Sequence, residues 1–252
     1  MPPFAPLNFL KVARYSGAST LKRVHAWRPP QKSTESHFST KIGRQRSRSG
    51  GLFGRFDGLL LSYDDSSSTR YNFLAGIPVD SSHDYLFDTE RNKKLAYGIN
   101  SDISFLDKSL DLNLYALAQY NDNILDRQVL GAEARFFKRS ISIFSLFDYD
   151  TSYEKTNIFL LTGNWKPANN YNFFFNVDYR NNPLLTTSNA LIGQTETDLG
   201  TLVSVLGEEA VRQLALDRST TSRLVGLGLL GPWSDSTTIR GDISATKVTG
   251  SE

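Results

Sequence analysis

The chain has 252 residues, no cysteine, 12% aromatic side chains and a formal net charge of +2. Without cysteine there can be no disulfide framework, no thiolate zinc site and no thiolate catalysis. The small net charge hides a split: ten of the 28 basic residues but only one of the 26 acids, Glu35, lie in residues 1–50, which leaves the remainder at −7. Such a division is expected of two physical units rather than one.

Residues 1–50 show no sustained period. Pro2, Pro3 and Pro6 open the segment, and Lys11 and Arg14 interrupt its apolar part, unlike the continuous apolar run of a secretory signal. It reads as a basic, disordered leader. Its "GRQRSRSGG" could meet phosphates non-specifically, and no nucleic acid partner is expected. Residues 51–252 read as one β-barrel region.

From Gly51 onward a period of two recurs. The first strand, Leu52–Ser62, has a charge-free even face and carries Arg55 and Asp57 on its odd face. Tyr71, Phe73, Ala75, Ile77 and Val79 then oppose Arg70 and Asn72. Leu95, Tyr97, Ile99, Ile103 and Phe105 alternate with small and polar residues, and so do Leu110, Leu112, Leu114, Ala116, Ala118 and Tyr120. Leu130–Phe136, Ile141–Tyr149, Phe159–Trp165 and "YNFFFNVDYR" (171–180) repeat the rule, as do two strands near Val225–Leu229 and Ile239–Ala245. Strict alternation marks strands with one apolar and one polar face. About ten strands result, most of them longer than the usual five or six residues and long enough to cross a bilayer as tilted strands.

Between residues 181 and 217 the alternation stops. Leu199, Leu202, Val203, Leu206, Ala210, Val211 and Leu214 follow helical spacing, with Thr197 or Asp198 as N-cap and Gly207 dividing two short helices. A helical insertion is expected at about 196–217, folded into the interior or lying on a rim. Read as one long loop, residues 181–217 put the short connections at Leu106–Ser109, Lys138–Arg139, Pro167–Asn169 and Gly231–Ser236 on one side of the sheet.

The distribution of residues favours an inside-out arrangement. No apolar run approaches the length of a spanning helix, so a membrane crossing requires a closed antiparallel barrel. Tyr63, Tyr120, Tyr149, Tyr153, Trp165, Tyr171, Tyr179 and Trp233 stand near strand ends, as in the aromatic girdles of membrane barrels. Tyr171, Phe173, Phe175, Val177, Leu110, Leu112 and Leu114 are then expected to face lipid. Arg55, Asp57, Asp102, Glu133, Arg135, Asp178 and Arg180 are expected to line the lumen, either setting selectivity or filling it with ion pairs.

With the strands placed, "GGLFGRFDGLLLSYD" (50–64), "YNFLAGIPVD" (71–80) and "QLALDRS" (213–219) resemble the C-terminal β-barrel region of large proteobacterial outer-membrane proteins whose N-terminal part is built of tetratricopeptide repeats. The resemblance covers about residues 48–250. It implies a bacterial outer-membrane location, a lipid bilayer as partner, and a periplasmic repeat domain or export machinery beside the barrel. It also implies more strands than this chain supplies, so the chain reads as a fragment with a structural or translocation role, allied to polymer export or envelope assembly.

Catalytic patterns are missing. His25, His37 and His83 are the only histidines, and no HExxH, GxGxxG, P-loop or GxSxG motif occurs. The best hydrolase candidate is a rim cluster of Asp64, Asp65, His83 and Asp84, which resembles acid pairs that activate water. Its plainer reading is a polar loop, and no enzyme activity, cofactor or metal is expected. The leading alternative to a membrane barrel is a soluble β-barrel or sandwich that takes a small apolar ligand inside.

Overall fold

The computed structural model describes residues 37–46, 51, 54–79, 93–167, 171–234 and 237–250. They form an all-β fold with a short helical insertion. One antiparallel sheet of eleven strands runs in sequence order: β1 Phe38–Arg46, β2 Arg55–Asp64, β3 Thr69–Val79, β4 Lys94–Phe105, β5 Leu110–Asn121, β6 Ile124–Lys138, β7 Ile141–Asp150, β8 Lys155–Trp165, β9 Asn172–Asn182, β10 Thr220–Ser234 and β11 Thr237–Thr249. Strands run from 9 to 15 residues, long for a globular protein and matched to their neighbours.

Two differences from the sequence expectation stand out. Phe38–Arg46, expected within the disordered leader, forms β1 and pairs along its whole length with β2. Its own alternation is weak, since Lys41 and Arg44 fall on opposite faces. Backbone pairing with an apolar neighbour supplies what the pattern lacks. Second, β2 begins at Arg55, and its even residues Phe56 and Leu60 turn toward the buried cluster. Arg55 and Asp57 therefore lie on the opposite side of β2 from the expected one. Arg44, directly across on β1, binds Asp57 with two hydrogen bonds of 2.8 Å and neutralises it there.

Register fixes which residues share a face. Ser62 pairs with Asn72, Asn72 with Asn100, Asn100 with Tyr115, Tyr115 with Gly131, and Gly131 with Asp148. Pairing is direct at each step, so this row crosses six strands on one side of the sheet. On that side Phe56, Leu74, Ala96, Tyr115, Leu117 and Val129 are buried together, with Leu60 and Leu146 against them. Residues of β2 and β7 join one cluster because the sheet curls. The opposite side is apolar and uncovered: Ile99 is 60% exposed, Leu130 54%, Leu227 57% and Ile243 74%. Among the described residues no second layer covers it.

Curling brings side chains close on the inner side. A Cβ at Gly131 would stand 2.1 Å from the Tyr115 ring, and one at Gly51 2.3 Å from it. Glycine at these two positions makes room for the phenol to lie flat against backbone. Hairpins close with residues that accept positive φ. Asp122 (φ 54°) and Asn123 (φ 63°) make the two-residue β5–β6 turn, where short polar side chains tolerate the left-handed region best.

Successive antiparallel strands place their connections at alternate ends of the sheet. The β4–β5, β6–β7, β8–β9 and β10–β11 connections are short and share one end of the sheet. At the other end, one long connection, residues 183–219, joins β9 to β10. It contains a 3-10 turn Thr187–Leu191, α1 Leu199–Leu206 and α2 Glu208–Asp217. Asp198 caps α1 by accepting from the Thr201 N–H at 2.8 Å, and Gly207 (φ 84°) separates the helices. No helix among the described residues is long and apolar enough to cross a membrane.

Candidate functional site

The inner side carries the chain's organised polar chemistry. Near the short-turn end, an amide ladder crosses β2 to β5. Ser62 Oγ donates to Asn72 Oδ1 (2.6 Å), and Asn72 Nδ2 donates to Asn100 Oδ1 (2.7 Å) and Asp102 Oδ2 (2.8 Å). From the other side Asn113 Nδ2 donates to Asp102 Oδ1 (2.8 Å) and Asn100 Oδ1 (3.2 Å). Asn and Asp occur where strands need a planar acceptor and donor at cross-strand spacing, so the ladder follows from the register.

Deeper along the same side lies a buried ion pair. Arg127 Nη2 meets Asp148 Oδ2 at 2.6 Å, with side chains 3% and 0% exposed. Tyr115 donates to the same oxygen at 2.9 Å, and Arg127 Nη1 donates to the Gly51 carbonyl at 3.0 Å. A buried pair of this kind is costly unless other groups share its charge. Here Tyr115 shares the Asp148 Oδ2 and a carbonyl from the β1–β2 connection takes Arg127 Nη1, while Asp148 Oδ1 is buried without a hydrogen-bond partner among the described residues. Alternation puts Tyr115 and Asp148 on the polar faces of their strands but does not single out Arg127.

The third part is the contact between the sheet and residues 183–219. Two β-bulges present it. Asp126 is the extra residue of β6 opposite Gln119/Tyr120, and Asn157 the extra residue of β8 opposite Asp148/Tyr149. Asp126 accepts from Gln119 Nε2 and the Ser188 N–H, both at 2.7 Å. Asn157 accepts from the Leu185 N–H at 2.9 Å and donates to the Leu185 carbonyl at 3.3 Å, as a strand neighbour would. Tyr153 of the β7–β8 turn donates to Thr187 Oγ1 (2.9 Å) under the Arg212 guanidinium, which lies 4.5 Å above its ring. Lys93 pairs with Asp198, and Arg212 with the Ser152 carbonyl. Lys93, aided by the Thr201 N–H, holds the Asp198 carboxyl well below the usual carboxylate range. Burial pushes the Tyr153 phenol up, against opposing pulls from Thr187 and Arg212.

The expected lumen residues divide. Asp102 stands in the amide ladder, Glu133 pairs with Arg135, and Asp178 with Arg180, all on the inner side. These intra-strand pairs lie two residues apart and are half open to solvent. Arg55 and Asp57 are the exceptions described above. Phe173, Phe175 and Val177 pair with Leu229, Leu227 and Val225 on the uncovered apolar side, and Leu110, Leu112 and Leu114 share that side on β5. Tyr171 precedes β9 and donates to the Pro232 carbonyl at 3.4 Å.

Aromatics gather at two levels of the apolar side. Phe38, Tyr63 and Tyr71 stand near the short-turn end of β1–β3, and Trp165 stacks on Phe173 at 5.3 Å. Tyr97 stacks on Tyr120 at 5.9 Å near the other end. Tyr153, expected in a girdle, is instead buried against the insertion. Trp233's side chain lies outside the described residues.

Of the four residues of the rim cluster, Asp64 and Asp65 are described. Asp64 ends β2 and is engaged by Arg70, at one end of β3. His83 and Asp84 themselves lie outside the described residues. Among the described residues no three His, Cys, Asp or Glu side chains are grouped to hold a metal ion. Neither a scan against protein-family models nor a search of curated proteins finds a match to this chain.

Proposed function

We propose that this chain forms the wall of an outer-membrane-type β-barrel, with its apolar side in lipid and its polar side enclosed, and that its role is structural or in translocation. The observation that carries the reading is the reversed burial. Asn100, Asn113, Arg127 and Asp148 are buried while Ile99, Leu114, Leu130 and Phe147 are exposed. A water-soluble sheet gains nothing from exposing its aliphatic residues on one continuous side and desolvating its asparagines on the other. Lipid reverses both terms. The two levels of aromatic rings support the same orientation.

The reading has a topological consequence. No strand pairs with the outer edges of β1 and β11 among the described residues. Hydrocarbon cannot satisfy those backbone groups, so further strands must close the wall. β1 and β11 run in the same direction, and closure by antiparallel pairs alone takes an odd number of additional strands. A bacterial outer membrane and a neighbouring export or assembly partner remain what the sequence resemblance implies.

Packing inside β2–β7 supports a structural wall over a wide aqueous channel. Phe56, Leu74, Leu117 and Val129 fill the curl where a channel would need water. That same cluster favours the second reading, a soluble barrel with an apolar interior, and the exposed side weighs against it. Refolded protein tests the two. Membrane insertion predicts that the chain stays soluble only with detergent and floats with liposomes. A stable, detergent-free monomer would point to the soluble barrel.

A further inference from the structure

We infer that residues 183–219 form a detachable cap over one end of the enclosed side, and that the cap opens as a unit by releasing polar contacts. The inference rests on the proposed enclosed interior for what opening would expose, but not for whether opening occurs.

The cap is held together and held down by different chemistry. Its own cohesion is apolar. Leu185, Ala190, Leu199, Leu202, Val211 and Ala215 are buried in one cluster, and of the buried members only Tyr153, in the β7–β8 turn, lies outside residues 183–219. Apart from Tyr153 and Ile124, which pack against that cluster, its attachment is polar. Asp126 and Asn157 bind backbone at Ser188 and Leu185, Asn121 Nδ2 donates to Ser188 Oγ at 3.0 Å, and Thr187 Oγ1 donates to the Leu125 carbonyl at 2.8 Å. Lys93 and Arg212 complete the contact. An apolar core resists opening because water gains no compensating bond. Hydrogen bonds and ion pairs at an aqueous end exchange for water at small net cost. The division therefore lets the cap separate without melting.

The cap covers something. Asp150 is the last residue of β7 and Asn121 the last of β5, yet both are buried. Strand ends at an open mouth would be wet. Asp150 Oδ1 takes the Ser152 and Tyr153 N–H groups and so shapes the turn that presents Tyr153 to Thr187. The bulges at Asp126 and Asn157 supply docking side chains at positions where regular strands would not.

Hydrogen exchange of the full chain in detergent micelles tests this. The expected result is that residues 185–217 exchange as one block, faster than β5–β7, and that Asn157→Ala speeds the block about 5- to 30-fold with β5–β7 unchanged. Because the native chain has no cysteine, Asn121→Cys with Ser188→Cys can be joined by a short bis-maleimide bridge. The bridge should slow the block at least tenfold relative to the unbridged variant, which covers the case in which Asn157→Ala fails to fold. A cap that exchanges no faster than β5–β7, or whose 3-10 turn and helices exchange at unrelated rates, overturns the inference. Cap opening seen in a chain that refuses liposomes would overturn the membrane reading alone.

Discussion

The two halves of the sheet follow the same alternation and meet different fates. In β2–β7 the inner residues are buried to the point that Arg127 and Asp148 exclude solvent, whereas every residue of β11 with a described side chain is exposed on both sides. Alternation sets which residues can point inward. Curvature decides whether pointing inward means burial. Between β2 and β7 the sheet bends far enough for Phe56 and Leu146 to join one cluster, and glycines opposite Tyr115 remove the bulk that would prevent it. At β9–β11 the same pattern has no wall to face.

The sharpest way to break this comparison is to remove equivalent charges from each half. Arg127→Ala strands Asp148 in a dry site and should cost about 3–5 kcal/mol in denaturant unfolding from micelles. Arg240→Ala on β11 removes an exposed partner of Asp242 and should change stability by less than about 1 kcal/mol. Equal effects would mean that the β2–β7 interior is not enclosed.

Aliphatic truncation should separate the halves less strongly. Leu74→Ala opens a cavity in the packed curl and should cost about 2–5 kcal/mol, whereas half-buried Leu224→Ala on β10 should cost about 1 kcal/mol. On the outer side the halves should agree. Leu114→Arg and Leu227→Arg each should cost about 2–4 kcal/mol in bilayers if both lie near the midplane. Refolding yields into liposomes and urea midpoints report these differences.

The smallest effect concerns the cap and pH. Tyr153's phenol is raised by burial, so its contribution is complete below the unfolded value near 10 and is lost as pH rises toward the folded value. Asp198 is lowered by Lys93, so its contribution is present above the unfolded carboxylate value near 4 and is lost as pH falls below it. The cap should therefore loosen on both sides of a broad neutral window while β5–β7 hold. Tyr153→Phe should weaken the alkaline limb of cap exchange and leave the acid limb.

Particular residues show how much of this was legible. The inner and outer sets of β4 and β5 could be read directly, because strict period two survives wherever register is regular. Asp198 and Gly207 were legible for the same kind of reason: each performs a local backbone task, a cap and a break, that few residues do as well. Arg55 and Asp57 are not legible in this way, because charge alone does not mark the inside when Arg44 across the strand pair neutralises Asp57 on the other side. The docking residues were hidden by the bulges that position them. Their trace was a slip of phase: the outer set of β6 is odd at Leu125 and even at Leu130, and in β8 it is even at Thr156 and odd at Phe159. Buried Arg127 sits beside that slip. Long-range burial by curvature leaves no such trace, since Phe56 and Leu146 stand 90 positions apart in sequence.

The most direct measurement is depth-resolved quenching in liposomes. Single cysteines at Leu114, Leu227, Asn113 and Asn176, each carrying a small fluorophore, would be challenged with lipids bearing a quencher on the acyl chain. The account predicts strong quenching at Leu114 and Leu227 and little at Asn113 and Asn176. Equal quenching at all four positions, or quenching that favours the asparagines, would contradict a wall with its apolar side in lipid.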